Sequence, residues 1–487
     1  MGNSFIDMIF GVWSSLGWLN VILAMVVTYL GRNKPARSTM MWVMVLTFLP
    51  IVGFFFYLLL GQDYKREKMF QLKAEQDETV RRITDAQNRE IQSGARRFGD
   101  PAMEDHLDLI RLALNADNAY YSEDNEARLF FDGEEKFAAL FRDIEAARFS
   151  VDVQYYILQP DELGYALLER LEAAARRGVR VRLLVDAVGG RRLWKRDFEP
   201  LLAAGGRVSI FFRALVRPIN FRINYRNHRK IVVIDNAIGY IGGFNVGMEY
   251  LGANTRLGSW RDTHLRVEGD AVASLKLRFL KDWLYASGDD PADEPDVRNV
   301  PNPVGHVGMQ LVTSGPDTPH TNIKYAMVQM IRSAKEAIYI QTPYLVPDLT
   351  FFDALKMALI SGVQVHIMIP NKPDHPFVYW ATTSYAGMLL REGAKVYRYD
   401  AGFLHAKVLV VDDLVSMVGS ANVDERSFLL NFEASMLLYD RTINRELREQ
   451  FWKDAKKSTL LTPQRYAERP LHQRIKEPIA RLLSPLL

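Results

Sequence analysis

Apolar and polar positions change rhythm twice along this chain. Residues 9–30 form a run of 22 without a charged side chain, and residues 40–60 a run of 21. Each reaches the ~20 residues that cross a hydrocarbon core. Trp13, Trp18, Trp42 and Tyr57 are rings of the kind that favour membrane interfaces. The short connector 31–39 makes the two runs a hairpin, so that both ends of the pair share one side. Arg32, Lys34 and Arg37 in the connector balance Lys65, Arg66, Lys68 and Lys73 after the second run, and no orientation follows. Asp7 and the lack of basic residues ahead of the first run argue against a cleavable leader. Residues 62–124 are charged and polar with widely spaced apolar positions, a juxtamembrane helical connector without chemistry of its own.

From about residue 125 the pattern becomes strand alternating with helix. Helical spacing over 134–147 is followed by an apolar strand at 150–157, a helix over 164–177 stopped by Gly178, a strand at 179–185, a helix at 195–204 and a strand at 208–212. The plan then repeats, with a helix at 324–335, a strand at 337–342, a helix from 350 to Ser361-Gly362 and a strand at 363–369. Such alternation predicts βαβ units and a largely parallel sheet in each half. The expected architecture is α/β: two packed βαβ-rich sheets flanked by helices and related by a pseudo-twofold axis. The first half spans 125–285 and the second 309–487, with the Pro- and Asp-rich stretch 286–308 as linker and residues 1–61 as the membrane hairpin.

The repeat carries chemistry. His228-Arg229-Lys230, four apolar residues and Asp235 are echoed by His405-Ala406-Lys407, four apolar residues and Asp412. Gly242-Gly243-Phe244-Asn245 is echoed by Gly419-Ser420-Ala421-Asn422, and His, Asp and Asn each recur after 177 residues. Two matched copies are hard to obtain by chance. His and Lys two apart share one face of a strand, whereas Asp235 and Asp412 fall at the strand ends. If the halves meet about a pseudo-twofold axis, two imidazoles and two ammonium groups converge, which suits a phosphate. Lys230, Lys407, Asn245 and Asn422 supply charge and donors for its oxygens. One imidazole attacks phosphorus and the other protonates the leaving oxygen, so that the product of the first step is a phosphohistidine. The lysines neutralise the charge, and the chemistry calls for no metal and no cofactor. Each imidazole needs an orienting partner on its other nitrogen. Asp262, in Trp260-Arg261-Asp262-Thr263-His264, and Glu433, in Asn431-Phe432-Glu433, are the candidates.

Composition narrows the classes. There is no cysteine, which removes disulfides, thiol catalysis and Cys-ligated zinc. A net charge of +3 gives no global field for nucleic acid. Nothing in the sequence sets an oligomeric state.

The paired motifs resemble the two HKD motifs of the phospholipase D superfamily. The apolar hairpin, Arg226-Asn227-His228-Arg229-Lys230, Trp260-Arg261-Asp262-Thr263-His264 and the ending Arg481-Leu482-Leu483-Ser484-Pro485-Leu486-Leu487 are similar, more narrowly, to the bacterial cardiolipin synthase family. The likeness spans essentially the full chain. It implies a multi-pass enzyme of the bacterial cell membrane that joins two phosphatidylglycerol molecules into cardiolipin and glycerol. It also implies His228 as nucleophile and His405 as acid and then base, although the symmetry of the motifs allows the reverse. Hydrolysis of phospholipids to phosphatidic acid uses the same motifs and is the alternative. Phe211, Phe212, Phe221 and Tyr225, interleaved with Arg213, Arg217, Arg222 and Arg226, are candidates to meet lipid and headgroup. So are Phe377-Val378-Tyr379-Trp380 and the amphipathic tail from Arg474, which has Ile475, Ile479, Leu482 and Leu483 at helical spacing.

Overall fold

The computed structural model describes residues 18–31, 36–57, 77–212, 225–254, 256–289 and 304–482. The chain divides into a small unit (residues 1–67 with 213–225) and a large one holding the rest.

In the small unit, residues 18–30 are helical and Ala36–Phe48 and Pro50–Phe56 are helices. The second apolar run is therefore not one continuous helix. Leu49 sits at φ −137°, ψ 72°, because the ring of Pro50 disfavours helical geometry in the residue before it. Val27, Trp42, Leu46 and Tyr57 pack together, with the Trp42 and Tyr57 rings edge-on at 5.4 Å. Most other large side chains here face outward, among them Trp18, Met25, Tyr29 and Phe48. Among the described residues no helix is long and apolar enough to cross a membrane.

The large unit is built on one mixed sheet of 16 strands among the described residues, 15 of them in one path and Arg226–Asn227 beside Asn431–Tyr439. From one edge the order is Ser458–Leu461, Lys395–Tyr399, Gln364–Pro370, Ala337–Gln341, Val408–Val411, Val415–Gly419, Asn431–Tyr439 and Val307–Ser314. It continues through Ser122–Phe130, His264–Gly269, Ile238–Gly242, Ile231–Ile234, Ser150–Tyr155, Arg180–Asp186 and Arg207–Phe211. Read outward from the centre, the second half repeats the strand order of the first. The duplication is thus as expected, but its assembly is not. The halves do not stack as two separate sheets; they join edge to edge, where Ser122–Phe130 pairs antiparallel with Val307–Ser314. Nor is either half largely parallel. Within the main path of the sheet, Ser150–Tyr155, Arg180–Asp186 and Arg207–Phe211, with their counterparts in the second half, run parallel to one another, and the other described neighbours are antiparallel. The motif strands return through tight turns, and a tight turn imposes antiparallel pairing.

The helices fall close to the predicted spans. Gly133–Ala146, Glu162–Arg176, Asn322–Ser333 and Leu349–Ile360 cover the sheet. Asp132, Asp161 and Asp348 cap three of them by accepting from the first-turn amides. Gly178 and Gly362 end two with φ of +87° and +90°, a region glycine enters without penalty. The connector is more than a spacer. Its helix Leu107–Asp117 buries Leu109, Ile110, Ala113 and Leu114 in the core of the second half, beside Ile323 and Met327. One helix runs to Ser287 and the next strand starts at Val307; residues 290–303 lie outside the described residues.

Candidate active site

Each motif histidine enters the site just where its own half is stitched to the other. Arg226–Asn227 pairs in parallel with Asn431 and Phe432 of the second half, and the His228 amide donates to the Phe432 carbonyl at 2.9 Å. In the mirrored arrangement Gly402–Leu404 pairs with Ser259–Arg261 of the first half, and the His405 amide donates to the Arg261 carbonyl at 2.7 Å. The orienting carboxylates are therefore exchanged between halves. His228 Nδ1 lies 3.0 Å from Glu433, and His405 Nδ1 lies 2.5 Å from Asp262. Both carboxylates are fully buried. Ser420 Oγ and Asn431 Nδ2 donate to Glu433, and the Thr263 amide donates to Asp262. With Nδ1 engaged, each ring keeps Nε2 for chemistry.

Electrostatics tie the four groups into one pocket. Burial lowers the His405 pKa to about 4; Lys407 adds to the fall and Asp262 opposes it. His228 is lowered in the same way by burial, with Glu433 opposing and both lysines contributing. Lys230 is also felt at His405, so each lysine reaches the imidazole of the opposite half. Burial brings Lys230 down to about 7 and Lys407 to about 8, against the pull of Glu433 and Asp262. Burial pushes the two carboxyls up, but His228 holds Glu433, and Lys407 and His405 hold Asp262, below their ordinary values. At neutral pH burial thus favours the neutral form of both imidazoles. A bound phosphodiester is an anion, and it raises every nearby cation-forming group.

Residues 140–283 and 327–455 match the family model described as cardiolipin synthase, PLD-like domain. The chain belongs to that family. Residues 18–62 match a second model, described as phospholipase D-nuclease N-terminal. The chain is 46% identical over 474 residues to the major cardiolipin synthase ClsA of Bacillus subtilis, covering 96% of this chain and 97% of that protein. It is likewise 46% identical over 469 residues to a cardiolipin synthase of Oceanobacillus iheyensis, at 96% and 97% coverage. The crystal structure of phosphatidylserine synthase from Haemophilus influenzae Rd KW20 aligns with a TM-score of 0.59 over 78% of this chain and 97% of that one. At 14% identity that likeness speaks to the fold alone.

The geometry separates the candidate residues. The structure brings together His228, Lys230, Glu433, His405, Lys407 and Asp262. It does not bring in Asp235 or Asp412. The Asp235 carboxylate accepts from the amides of Arg148, Phe149 and Ser150 at 2.7–2.8 Å. Asp412 accepts from those of Lys335, Glu336 and Ala337 at 2.8–2.9 Å. Each stands at the far end of its motif strand with φ near +50°, about 23 Å of extended chain from its histidine. These two carboxylates anchor the start of the neighbouring strand. Asn245 is committed as well, its side chain accepting from the Ile157 amide at 3.1 Å and donating to the Tyr250 hydroxyl at 2.9 Å. Asn422 bonds to Asp424.

A supporting layer escaped the sequence. Arg229 is fully buried, with two 2.8 Å bonds to Asp282, and donates to the Glu433 carbonyl at 3.1 Å; Gln154 donates to the same aspartate at 2.8 Å. In the second half Asp454 and Gln341 mirror Asp282 and Gln154, and Arg261 reaches Asp454 from the first half, at 2.9 and 2.8 Å. The sequence signal for it is Gln154 and Gln341, amide side chains at matching places in the two repeated strands. The Tyr156 ring, 4.7 Å from His228, also went unread, as did Arg426, which with Arg226 acts on Tyr156 and makes the rim on that side cationic. Trp260, 5.3 Å from His405, lines the other side. The aromatic approach is partly revised. Phe211 and Phe212 are buried against Phe432 at 5.2 and 5.5 Å and face no lipid, and Tyr225 is also buried. Residues 213–224, including Arg213, Arg217, Phe221 and Arg222, lie outside the described residues.

Proposed function

We propose that this chain is a phosphatidyltransferase that makes cardiolipin and glycerol from two phosphatidylglycerols, with His228 as nucleophile and His405 as general acid and then base. The observation that carries this reading is the exchanged pair of contacts, His228–Glu433 and His405–Asp262, beside two buried lysines. In the first step His228 Nε2 forms a bond to phosphorus, the bond from phosphorus to the glycerol oxygen breaks, and His405 gives that oxygen its proton. In the second step a hydroxyl of another phosphatidylglycerol gives its proton to His405 and attacks phosphorus, and the bond to His228 breaks. The shorter contact of His405 with its carboxylate suits the ring that must become an imidazolium. Lys230 and Lys407 hold the non-bridging oxygens, with charge that counts for more in a buried site than in water.

Purified enzyme given phosphatidylglycerol alone is expected to yield cardiolipin and free glycerol in equal amounts, and added phosphatidylethanolamine to leave that stoichiometry intact. Phosphatidic acid as the main product would put water in the acceptor's place and favour hydrolysis. Cardiolipin formed together with ethanolamine would reassign the donor.

We also place the chain in a membrane through the apolar residues 9–60, supported by the outward-facing Trp18, Met25, Tyr29 and Phe48. The expected domains are that membrane segment, the connector 62–124 and the two phospholipase D-like halves. The full chain should stay with the membrane pellet through an alkaline carbonate wash, and release into the supernatant would contradict the assignment.

A further inference from the structure

The C-terminal helix Leu471–Leu482 turns its apolar stripe away from the protein. Glu477 and Ala480 are buried, Glu477 accepting from the Tyr466 hydroxyl at 3.1 Å and from Arg469 at 2.8 Å. Leu471, Ile475, Ile479 and Leu482 are instead 67, 54, 51 and 70% exposed. Their spacing of four, four and three puts them on one face. A helix that merely packed on the body would place these residues inward and its charges outward; here a carboxylate faces in and the aliphatic row faces out. Arg474, Lys476 and Arg481 flank the row, and the one acidic residue of the helix is the buried, paired Glu477. An apolar stripe edged by cations matches the interface of an anionic bilayer, where aliphatic side chains enter the acyl boundary and Lys and Arg reach the phosphates.

The helix also connects to the site. It packs on the helix Pro376–Arg391, with Lys476 Nζ 4.8 Å from the Trp380 ring centre. That helix starts immediately after Asp374 and His375, and Asp374 is close enough to act on Lys407. Phe377, at its first turn, is 50% exposed. Phe377 thus places an exposed apolar group at the end of that helix that lies beside Asp374.

We propose that Leu471–Leu482, with Phe377, is an interfacial docking face that rests on an anionic lipid surface and turns the mouth of the active site toward it, independently of the N-terminal segment. The assignment of phospholipid as substrate underlies the functional part of this proposal, but the contact itself is measured without catalysis. The chain has no cysteine, so single labels are unambiguous. Full-length Ile475→Cys, Ile479→Cys and Glu468→Cys proteins, each carrying a polarity-sensitive fluorophore, are reconstituted into vesicles of phosphatidylcholine with phosphatidylglycerol. Labels at 475 and 479 should shift to the blue and lose aqueous iodide quenching several-fold, while the label at 468 stays accessible. The Ile475→Glu/Ile479→Glu variant should lose about tenfold in activity on phosphatidylglycerol in bilayers and little on the same lipid dispersed in detergent.

Labels at 475 and 479 quenched as freely as that at 468 would overturn the proposal. So would protection that grows with protein concentration in lipid-free detergent, because a second copy would then cover the face. Equal loss of activity in bilayer and detergent would reduce the helix to a structural element. Intact docking with no cardiolipin formed would leave this face standing and count against the catalytic reading alone.

Discussion

His228→Ala is expected to lower cardiolipin formation by at least three orders of magnitude, with the fold retained. The side chain is only partly buried, and its loss removes neither the strand pairing through its amide nor the Arg229–Asp282 contact behind it. What disappears is the atom that bonds to phosphorus, and no neighbouring group has the geometry to replace it. Three orders of magnitude correspond to about 4 kcal/mol of transition-state stabilisation. His405→Ala should be similarly severe, because an alkoxide leaves poorly when unprotonated. The two losses are not additive: the double variant should be scarcely slower than either single one, since both groups serve one step. Initial rates of cardiolipin formation, with circular dichroism to check folding, measure this. A double variant slower than the singles by the product of their effects would show that the imidazoles act in separate reactions.

Neutralising the exchanged carboxylates is the second large effect. Asp262→Asn and Glu433→Gln should each lower kcat by about a hundredfold or more, because the paired ring loses both orientation and the charge that supports its cationic form. The sign differs in the pH profile. Asp262 raises the pKa of His405, opposing burial, so its loss drops that pKa further. If His405 must be protonated to act, the alkaline limb of kcat moves to lower pH in Asp262→Asn. Glu433 raises the pKa of His228, and its loss favours the neutral, nucleophilic ring. Glu433→Gln should therefore slow the reaction without moving that limb. Some loss of stability accompanies both, since each buried carboxylate faces Lys230 and Lys407, and a buried cation without its counter-charge is costly. The same limb shift in both variants would mean that the acid and nucleophile roles are not divided as assigned.

Most of the site could be found by inspection because the repeat is written in local patterns. Strand period, helix period and the 177-residue recurrence all survive in one dimension. Even Asp262 and Glu433 were within reach, as carboxylates following the Asn turns. Their exchange was not, because nothing local says that Arg226–Asn227 pairs with Asn431 and Phe432, some two hundred residues away. The anchoring by Asp235 and Asp412 was hidden for a related reason. Recurrence at fixed spacing marks a constraint without saying which kind, and theirs is the anchoring of three backbone amides each. The single sheet was hidden as well, since an edge-to-edge join through Ser122–Phe130 and Val307–Ser314 leaves no mark on either strand's composition. Phe211 and Phe212 read as surface aromatics beside arginines, and only the packing of Phe432 shows them to be core.

Trapping the covalent intermediate tests the central claim directly. Full-length enzyme is mixed with phosphatidylglycerol labelled in its phosphate, quenched within milliseconds in alkaline denaturant, where a phosphohistidine survives, and digested for mass mapping. The phosphatidyl label is predicted on His228, at a level that falls when excess phosphatidylglycerol is allowed to react before the quench. Label on His405 would reverse the roles of the two halves. An unlabelled protein under conditions of steady cardiolipin synthesis would contradict covalent catalysis at this site altogether.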